Sequence, residues 1–345
     1  MGEKRRGKYT ITFEQPPLIK SYASVAGQKE AEGPLADYFD MICEDPMMGK
    51  ESWEEAEGAL QYQAVLKALD KAFLCPEDVN YLFAGDLLGQ TIATSFGVME
   101  LQIPHFGLYG ACSTMGESLS LAAMAIDGGF AERAVAVTSS HYASAEKQFR
   151  YPLAYGNQRS LAASWTVTGS GALVLESADL GSKQAADQCV RIHAVTTGKI
   201  IDYGIKDSQN MGACMAPAAA FVIGNHLRDM NRQPEDYDRI ITGDLGRVGQ
   251  KILFELMREE GFNIEDYHMD CGIEIFDAET QDTHAGGSGC GCSAVTLCGY
   301  IMKKLETGEW KRVLFVPTGA LLSKVSFNEG FTIPGIAHGV VLEKG

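Results

Sequence analysis

The sequence predicts a duplicated α/β protein. Two βαβ-rich halves are related by a pseudo-two-fold, with stacked sheets sandwiching helices and further helices outside. Three observations carry this reading. A set of motifs recurs in the same order about half a chain apart, short apolar runs alternate with amphipathic stretches, and no linker rich in Pro, Gly or Ser divides the chain.

The repeat comes first, because a period this long signals duplication and not a solenoid. Pro76-Glu77-Asp78 precedes a run ending in Ala84-Gly85-Asp86-Leu87, and Pro234-Glu235-Asp236 precedes one ending in Thr242-Gly243-Asp244-Leu245. Both pairs lie 158 residues apart. Ala111-Cys112-Ser113 opens an apolar helix that ends near Gly128, and Gly291-Cys292-Ser293 opens one that ends near Gly308. Arg133 and Arg312 then lead into apolar strands. Each half closes on an apolar run with an acidic end, at Glu176 and at Glu343. Two generic βαβ units would share composition but not this spacing.

Residues 81–84 and 239–242 are short apolar runs, as expected of strands buried on both faces. Residues 53–73 read as an amphipathic helix and 217–230 as its copy. Alternating strand and helix predicts a mostly parallel sheet with right-handed crossovers. The halves are expected at 1–180 and 181–345, joined through the polar, turn-prone stretch 177–188.

Composition bounds the function. Of 345 residues, 46% are hydrophobic and 21% charged, which suits a packed core. The 29 basic and 45 acidic side chains leave a formal charge of −16, which repels nucleic acid and anionic surfaces on average. The clear basic cluster is Lys4-Arg5-Arg6, read as a solvated terminus, with a membrane or partner contact as the minority reading. No apolar segment follows it as in a signal peptide, and none reaches the roughly 18 residues that span a bilayer. Nine cysteines in no framework spacing point to a reducing compartment. Cys290 and Cys292 form a C-x-C without a second pair at zinc spacing, so packing is preferred to a metal site.

Cys112 is the most informative residue. It follows Tyr109-Gly110-Ala111 and opens a helix, where unpaired N–H groups and the dipole favour a thiolate and can hold an anion. Gly110-Ala111-Cys112-Ser113 before an apolar helix resembles the nucleophile turn of thiolases and ketoacyl synthases. Val167-Thr168-Gly169-Ser170-Gly171 resembles their glycine-rich hairpin, and the duplication resembles their two-fold core.

A closer resemblance is carried by Gly110-Ala111-Cys112-Ser113-Thr114, Ser139-Ser140-His141, Gln148-Phe149-Arg150-Tyr151-Pro152, Met215-Ala216-Pro217-Ala218-Ala219, Gly286-Gly287-Ser288-Gly289-Cys290 and Ile336-Ala337-His338-Gly339-Val340. These resemble the stage V sporulation protein AD family. That resemblance implies a thiolase-like component of the SpoVA system that binds dipicolinic acid, or its calcium chelate, for uptake into the developing spore. It implies no catalytic activity, a place in the forespore or spore at the inner spore membrane, SpoVA membrane proteins as partners and a homodimer.

The departures from the condensing enzymes agree with a binding role. Their cysteine works with histidine and asparagine, or with two histidines, which stabilise the enolate and move protons. Where type III ketoacyl synthases carry His-Gln-Ala-Asn, this chain reads Thr242-Gly243-Asp244-Leu245-Gly246, and Gly287-Ser288-Gly289 falls where their Gly-Asn-Thr lies. His284 is followed by Ala285 and Gly286, unlike the thiolase Gly-His-Pro. His338 sits in the last Gly-rich turn, where thiolases carry a second cysteine, and His141 ends a strand on the side where α/β folds gather ligands.

Dipicolinate is a flat dianion, and its site needs donors and positive potential in an apolar slot. Arg150 and Lys206 are the cationic candidates, with Gln148, Tyr151 and Tyr155 as neutral partners. An interface ion pair is an equal alternative for Arg150. The expected ligand contacts are therefore Cys112, His141, Arg150, Lys206, Ser288 and His338. No cofactor or resident metal is expected, because no EF-hand spacing exists. Asp86 and Asp244 are repeat-related and read as structural. The alternatives are a cysteine-dependent acyltransferase or condensing enzyme acting on a thioester, with His338 or His284 as base, and a scaffold with a vestigial pocket.

Overall fold

The computed structural model describes residues 4–149, 158–180 and 189–345. Arg150, Tyr151, Tyr155 and most of the expected joint lie outside them.

Each half lays down five principal strands. The first half supplies β1 (Leu18–Gly27), β2 (Tyr81–Asp86), β3 (His105–Leu108), β4 (Arg133–Ser140) and β5 (Gly169–Glu176). The second supplies β6 (Val190–Thr197), β7 (Arg239–Thr242), β8 (His268–Asp270), β9 (Arg312–Val316) and β10 (Gly335–Lys344). Their spatial orders are β1-β5-β4-β2-β3 and β6-β10-β9-β7-β8, the same permutation twice. The two sheets touch edge to edge at one residue pair, Arg191 opposite Leu18.

The repeated Pro-Glu-Asp motifs become matching 3-10 turns ahead of β2 and β7. In each, the aspartate takes back the N–H of the residue before the proline, Cys75 to Asp78 at 2.9 Å and Gln233 to Asp236 at 2.8 Å. Proline has no N–H to satisfy at a first helical position, so the turn is self-capped.

The sheets are mixed, against the mostly parallel expectation. β2 runs parallel to β3 and β4, and β7 to β8 and β9, whereas β5 and β10 run antiparallel to both neighbours. The cause is connectivity. Ser140, the last residue of β4, pairs with Gly169, the first of β5, so the chain returns from the end where β4 stops. No crossover helix among the described residues carries it back to the start.

The principal helices are α1 (Trp53–Ala72), α2 (Ile92–Met99), α3 (Thr114–Asp127), α4 (Tyr142–Phe149), α5 (Met211–Met230) and α6 (Gly246–Glu259). Helix α7 begins as Cys290–Thr296, passes through a π-helical stretch at Leu297–Ile301 and ends as Met302–Glu306. α1 starts in a capping box, in which Ser52 and Glu55 exchange side-chain and backbone hydrogen bonds. α5 begins at Met211, capped by Asn210, six residues before the expected start at Pro217. The proline removes one N–H from the ladder, but the helix continues because its flanking residues Ala213, Met215 and Ala216 are fully or almost fully buried.

α1 packs on the outer face of β1, β5 and β4, and α5 on β10. α3 packs against β4 and β2 and also against β10 of the other half, while α7 packs against β5, β4 and β1. The two helices therefore lie between the sheets. Three apolar cores follow: one outside each sheet, and a central one joining Met115 and Leu119 to Val295, Phe315 and Val340. Gly171 permits the closest approach, since a Cβ there would collide with the Ala294 carbonyl of α7.

Glu30 is buried against the end of β1. One carboxylate oxygen accepts the Thr168 N–H at 3.0 Å and the other has no hydrogen-bond partner. Loss of water pushes its pKa from the ordinary 4.5 up to about 7. A raised carboxylate pKa contributes stability that is full below 4.5 and is lost as pH rises to about 7. Glu30→Gln should therefore gain on the parent between pH 4.5 and 7, by on the order of 2–3 kcal/mol. Chemical denaturation at both ends of that window would show it, and equal differences at both ends would refute it.

Candidate functional site

Cys112 stands on a turn held by its own residues. After β3 the chain passes Ala111 in the left-handed region, φ 50°, a conformation that costs a non-glycine residue about 1 kcal/mol or more. Three bonds lock it: Ser113 Oγ donates to the Gly110 carbonyl at 2.7 Å, Thr114 Oγ1 to the Ala111 carbonyl at 2.6 Å, and Gly110 N–H to Thr114 Oγ1 at 3.1 Å. The short strand Thr318–Ala320 lies against this turn, where a Cβ on Gly319 would strike the Gly110 carbonyl.

The second half delivers the neighbours. Ser288 Oγ is 3.9 Å from Cys112 Sγ and donates to Asp244 Oδ2 at 2.8 Å. The Gly289 N–H donates to the same oxygen at 2.9 Å, and Thr318 Oγ1 donates to Oδ1 at 2.8 Å. Asp244 is 2% exposed and its carboxyl is pushed above the usual range by burial, with these donors opposing. No histidine among the described residues lines the space around Cys112.

The thiol is therefore not the thiolate that a helix start suggests. Burial, and then the charge of Asp244, raise the Cys112 pKa well above its ordinary 9.0. The N–H groups at the start of α3 are also engaged, since Ser113 donates to Gly110, Thr114 to Ala111, and Gly116 and Glu117 to Ser113.

Two connected spaces lead to this centre. A narrow chamber of about 40 Å3 is lined by Cys112, Ser288, Glu146, Thr166 and Met211. Leu87, Tyr109 and Leu322 form its neck and also line a cavity of about 730 Å3 that opens between α2 and the segment 321–326. Lys324 is the one cation lining the larger cavity among the described residues, with Gln90, Gln148, Ser323 and Ser326 as neutral donors. Glu54 on its wall is neutralised by Lys147 at 2.6 Å. Burial lifts the Tyr109 hydroxyl to about 12, so the neck is uncharged.

The expected contacts divide. Cys112 and Ser288 come together. Lys206 lines a neighbouring open groove of about 570 Å3, which shares Leu321 and Ser326 with the larger cavity. His141 lines none of these spaces: its Nε2 bonds the Pro46 carbonyl at 2.9 Å, its Nδ1 accepts the Ala143 N–H at 3.1 Å, and its ring lies 5.3 Å from that of Trp53. His338 is on β10 opposite Thr197, not in a turn, because the last Gly-rich segment continues the strand. Burial holds its pKa down at about 4. His284 bonds Ser160 and Asp282 away from Cys112. Arg150 lies outside the described residues, beyond Gln148.

The repeat-related aspartates take different roles. Asp86 caps the approach to α2 through Leu88 and Thr94, whereas Asp244 sits beside the thiol. Cys290 and Cys292 pack as buried thiols against the Ser139 and Gly243 carbonyls. No group of three or more His, Cys, Asp or Glu among the described residues is placed to hold a metal. Nor is any helix among them long and apolar enough to cross a membrane.

Paired five-stranded sheets, two helices between them and a cysteine turn at the junction define a protein of thiolase-like fold. OleA from Xanthomonas campestris matches with TM-score 0.59 and 15% identity, over 96% of this chain and 99% of its own. 3-Oxoacyl-[acyl-carrier-protein] synthase III from Aquifex aeolicus VF5 matches with TM-score 0.55 and 13% identity, over 95% and 99%. Within that fold the chain belongs to the stage V sporulation protein AD family, whose sequence model matches residues 7–343. It is 45% identical over 341 residues to the Bacillus subtilis (strain 168) stage V sporulation protein AD, covering 99% of this chain and 98% of that one. It is thus a sporulation protein.

The ionisation of Cys112 is measurable as ultraviolet thiolate absorbance, isolated by subtracting a Cys112→Ala variant. The parent should show no Cys112 thiolate at its ordinary midpoint of 9.0, and Asp244→Asn should move ionisation to lower pH. A Cys112 thiolate present at neutral pH would contradict the assignment.

Proposed function

We propose that this chain is the dipicolinic acid- and calcium-dipicolinate-binding component of the SpoVA system, supporting dipicolinate uptake into the developing spore, and that it is not an enzyme. The observation that carries the proposal is the pair beside Cys112, Asp244 and Ser288. Condensation needs a thiolate and donors aimed at a developing oxyanion. Here a carboxylate faces the thiol, disfavours its ionisation and would repel an oxyanion.

What remains is a binding vessel. A cavity of about 730 Å3 lies within the size range of small-molecule sites. Lys324 supplies positive charge for one carboxylate of dipicolinate, with Gln148, Ser323 and Ser326 as hydrogen-bond donors. Calcium in the chelate neutralises both ligand carboxylates, so the acidic inner chamber would not oppose it. In this reading Cys112 and Ser288 form the floor beneath the ligand, and Lys206 lies on its approach. The protein works in the forespore or spore with SpoVA membrane proteins. A homodimer would form along β3, the last strand of the first sheet, where Phe106 is 52% exposed.

Calorimetric titration of the full chain with dipicolinate, with and without calcium, tests the reading. One saturable site is expected, weakened roughly fivefold or more in Lys324→Gln, as for loss of a charged hydrogen bond. Absence of binding under both conditions would sink it.

A further inference from the structure

The parallel strands β2 and β4 begin at the end of the first half opposite Cys112, which follows the end of β3. There α1 closes on Phe73, a residue in the left-handed region at φ 57° whose N–H bonds the Asp70 and Leu69 carbonyls. Its counterpart 158 residues on is Asn231, which caps α5 in the same way at φ 51°. Asparagine suits that conformation, whereas phenylalanine is strained in it. The strain brings no packing in return, because Phe73 is 97% exposed.

Phe130 repeats the pattern after α3. Gly129 and Gly308 are both left-handed, at φ 75° and 76°, and the residue after each is Phe130 in the first half and Glu309 in the second. Phe130 is 76% exposed, while Glu309 pairs with Lys304 at 2.7 Å. Two residues further on, Glu132 has Lys311 as its counterpart. The fold is the same at both places, so the exposed rings and the acid belong to the first half and not to the architecture.

These residues share one end of the molecule. Asn80, after the turn that follows Phe73, accepts the N–H groups of Glu132 and Arg133 at 2.8 and 3.0 Å. The Glu132 carbonyl accepts the Ser177 N–H at 2.9 Å, just ahead of the exposed Leu180. Glu77, Glu132 and Asp179 are exposed around the apolar side chains and form no ion pair among the described residues. The nearby cations are engaged within the fold, Lys71 with Asp40, Arg133 with Glu176 and Lys4 with Asp127.

We propose that this end of the first half docks a basic amphipathic helix of a partner protein, with Phe73 and Phe130 as apolar anchors and Glu77, Glu132 and Asp179 as the charged rim. Exposed aromatic side chains inside a polar rim have the anatomy of a protein interface. The unpaired acids set the sign of the partner. A second copy of this chain would bring like charges together, and an anionic surface would be repelled. A partner here leaves the large cavity open, since Ser52 and Asp86 line that cavity from the start of α1 and the end of β2.

The test is fluorescence anisotropy of a labelled amphipathic helix of leucine and lysine, titrated with the full chain beside a matched helix of leucine and glutamate. The lysine helix should bind saturably, less tightly as salt rises, and the glutamate helix should not bind. Phe73→Asn with Phe130→Ser leaves the net charge unchanged and should weaken binding roughly tenfold or more, as for loss of two aromatic anchors. Glu77→Gln with Glu132→Gln should weaken it at low salt. Glu235→Gln with Glu309→Gln, which removes the same charge from the corresponding end of the second half, should leave it unchanged. The thermal midpoint of Phe73→Asn should hold or rise, because asparagine relieves the left-handed strain. A lower midpoint would make Phe73 a packing residue and overturn the proposal. So would a parent that does not bind the lysine helix, or binding that the phenylalanine pair leaves untouched or the second-half pair weakens equally. A parent oligomer that dissociates in Phe73→Asn with Phe130→Ser would assign the face to a second copy and overturn it as well.

Discussion

The buried carboxylate of Asp244 is the constraint on which the centre of the molecule depends. It gathers Ser288, Gly289 and Thr318, three points from two segments of the second half, and holds them against the cysteine turn of the first. A carboxylate stripped of water needs such donors, since an unpaired one at this depth would be strongly destabilising. The same interaction fixes the chemistry. With burial and then the Asp244 charge acting on the thiol, Cys112 is favoured as S–H.

Much of the fold was legible in the sequence because duplication leaves spacing behind. The Pro-Glu-Asp motifs marked two equivalent turns, and the apolar runs after them marked β2 and β7. The related Ala-Cys-Ser and Gly-Cys-Ser motifs located both helices that lie between the sheets. Strand direction was less legible, since an apolar run buried on both faces has the same composition whichever way it runs. The direction of β5 depends on where the preceding chain returns, which no local pattern records. Pro217 misled for a similar reason: a proline marks a helix start by local preference, and here burial of the surrounding face overrides it.

The site was legible in part. Cys112 and Ser288 were each read as ligand contacts, and the structure sets them 3.9 Å apart. Asp244 was visible as the counterpart of Asp86 and so read as structural. Duplication preserves position and not role, and after it one aspartate caps a loop while the other faces a thiol. The histidines read from their turns are instead engaged with backbone or lie within a strand. Lys324 carried no signal at all, because an isolated lysine in a polar segment looks like any solvated side chain.

The proposal that this chain is not an enzyme turns on Cys112 staying protonated and unacylated. Intact-protein mass measurement after incubation with acetyl-coenzyme A bears on it most directly. The account predicts an unmodified mass in the parent and no difference from Cys112→Ala. A stable acetyl adduct that disappears in Cys112→Ala would contradict it and make the protein an acyl-transferring enzyme.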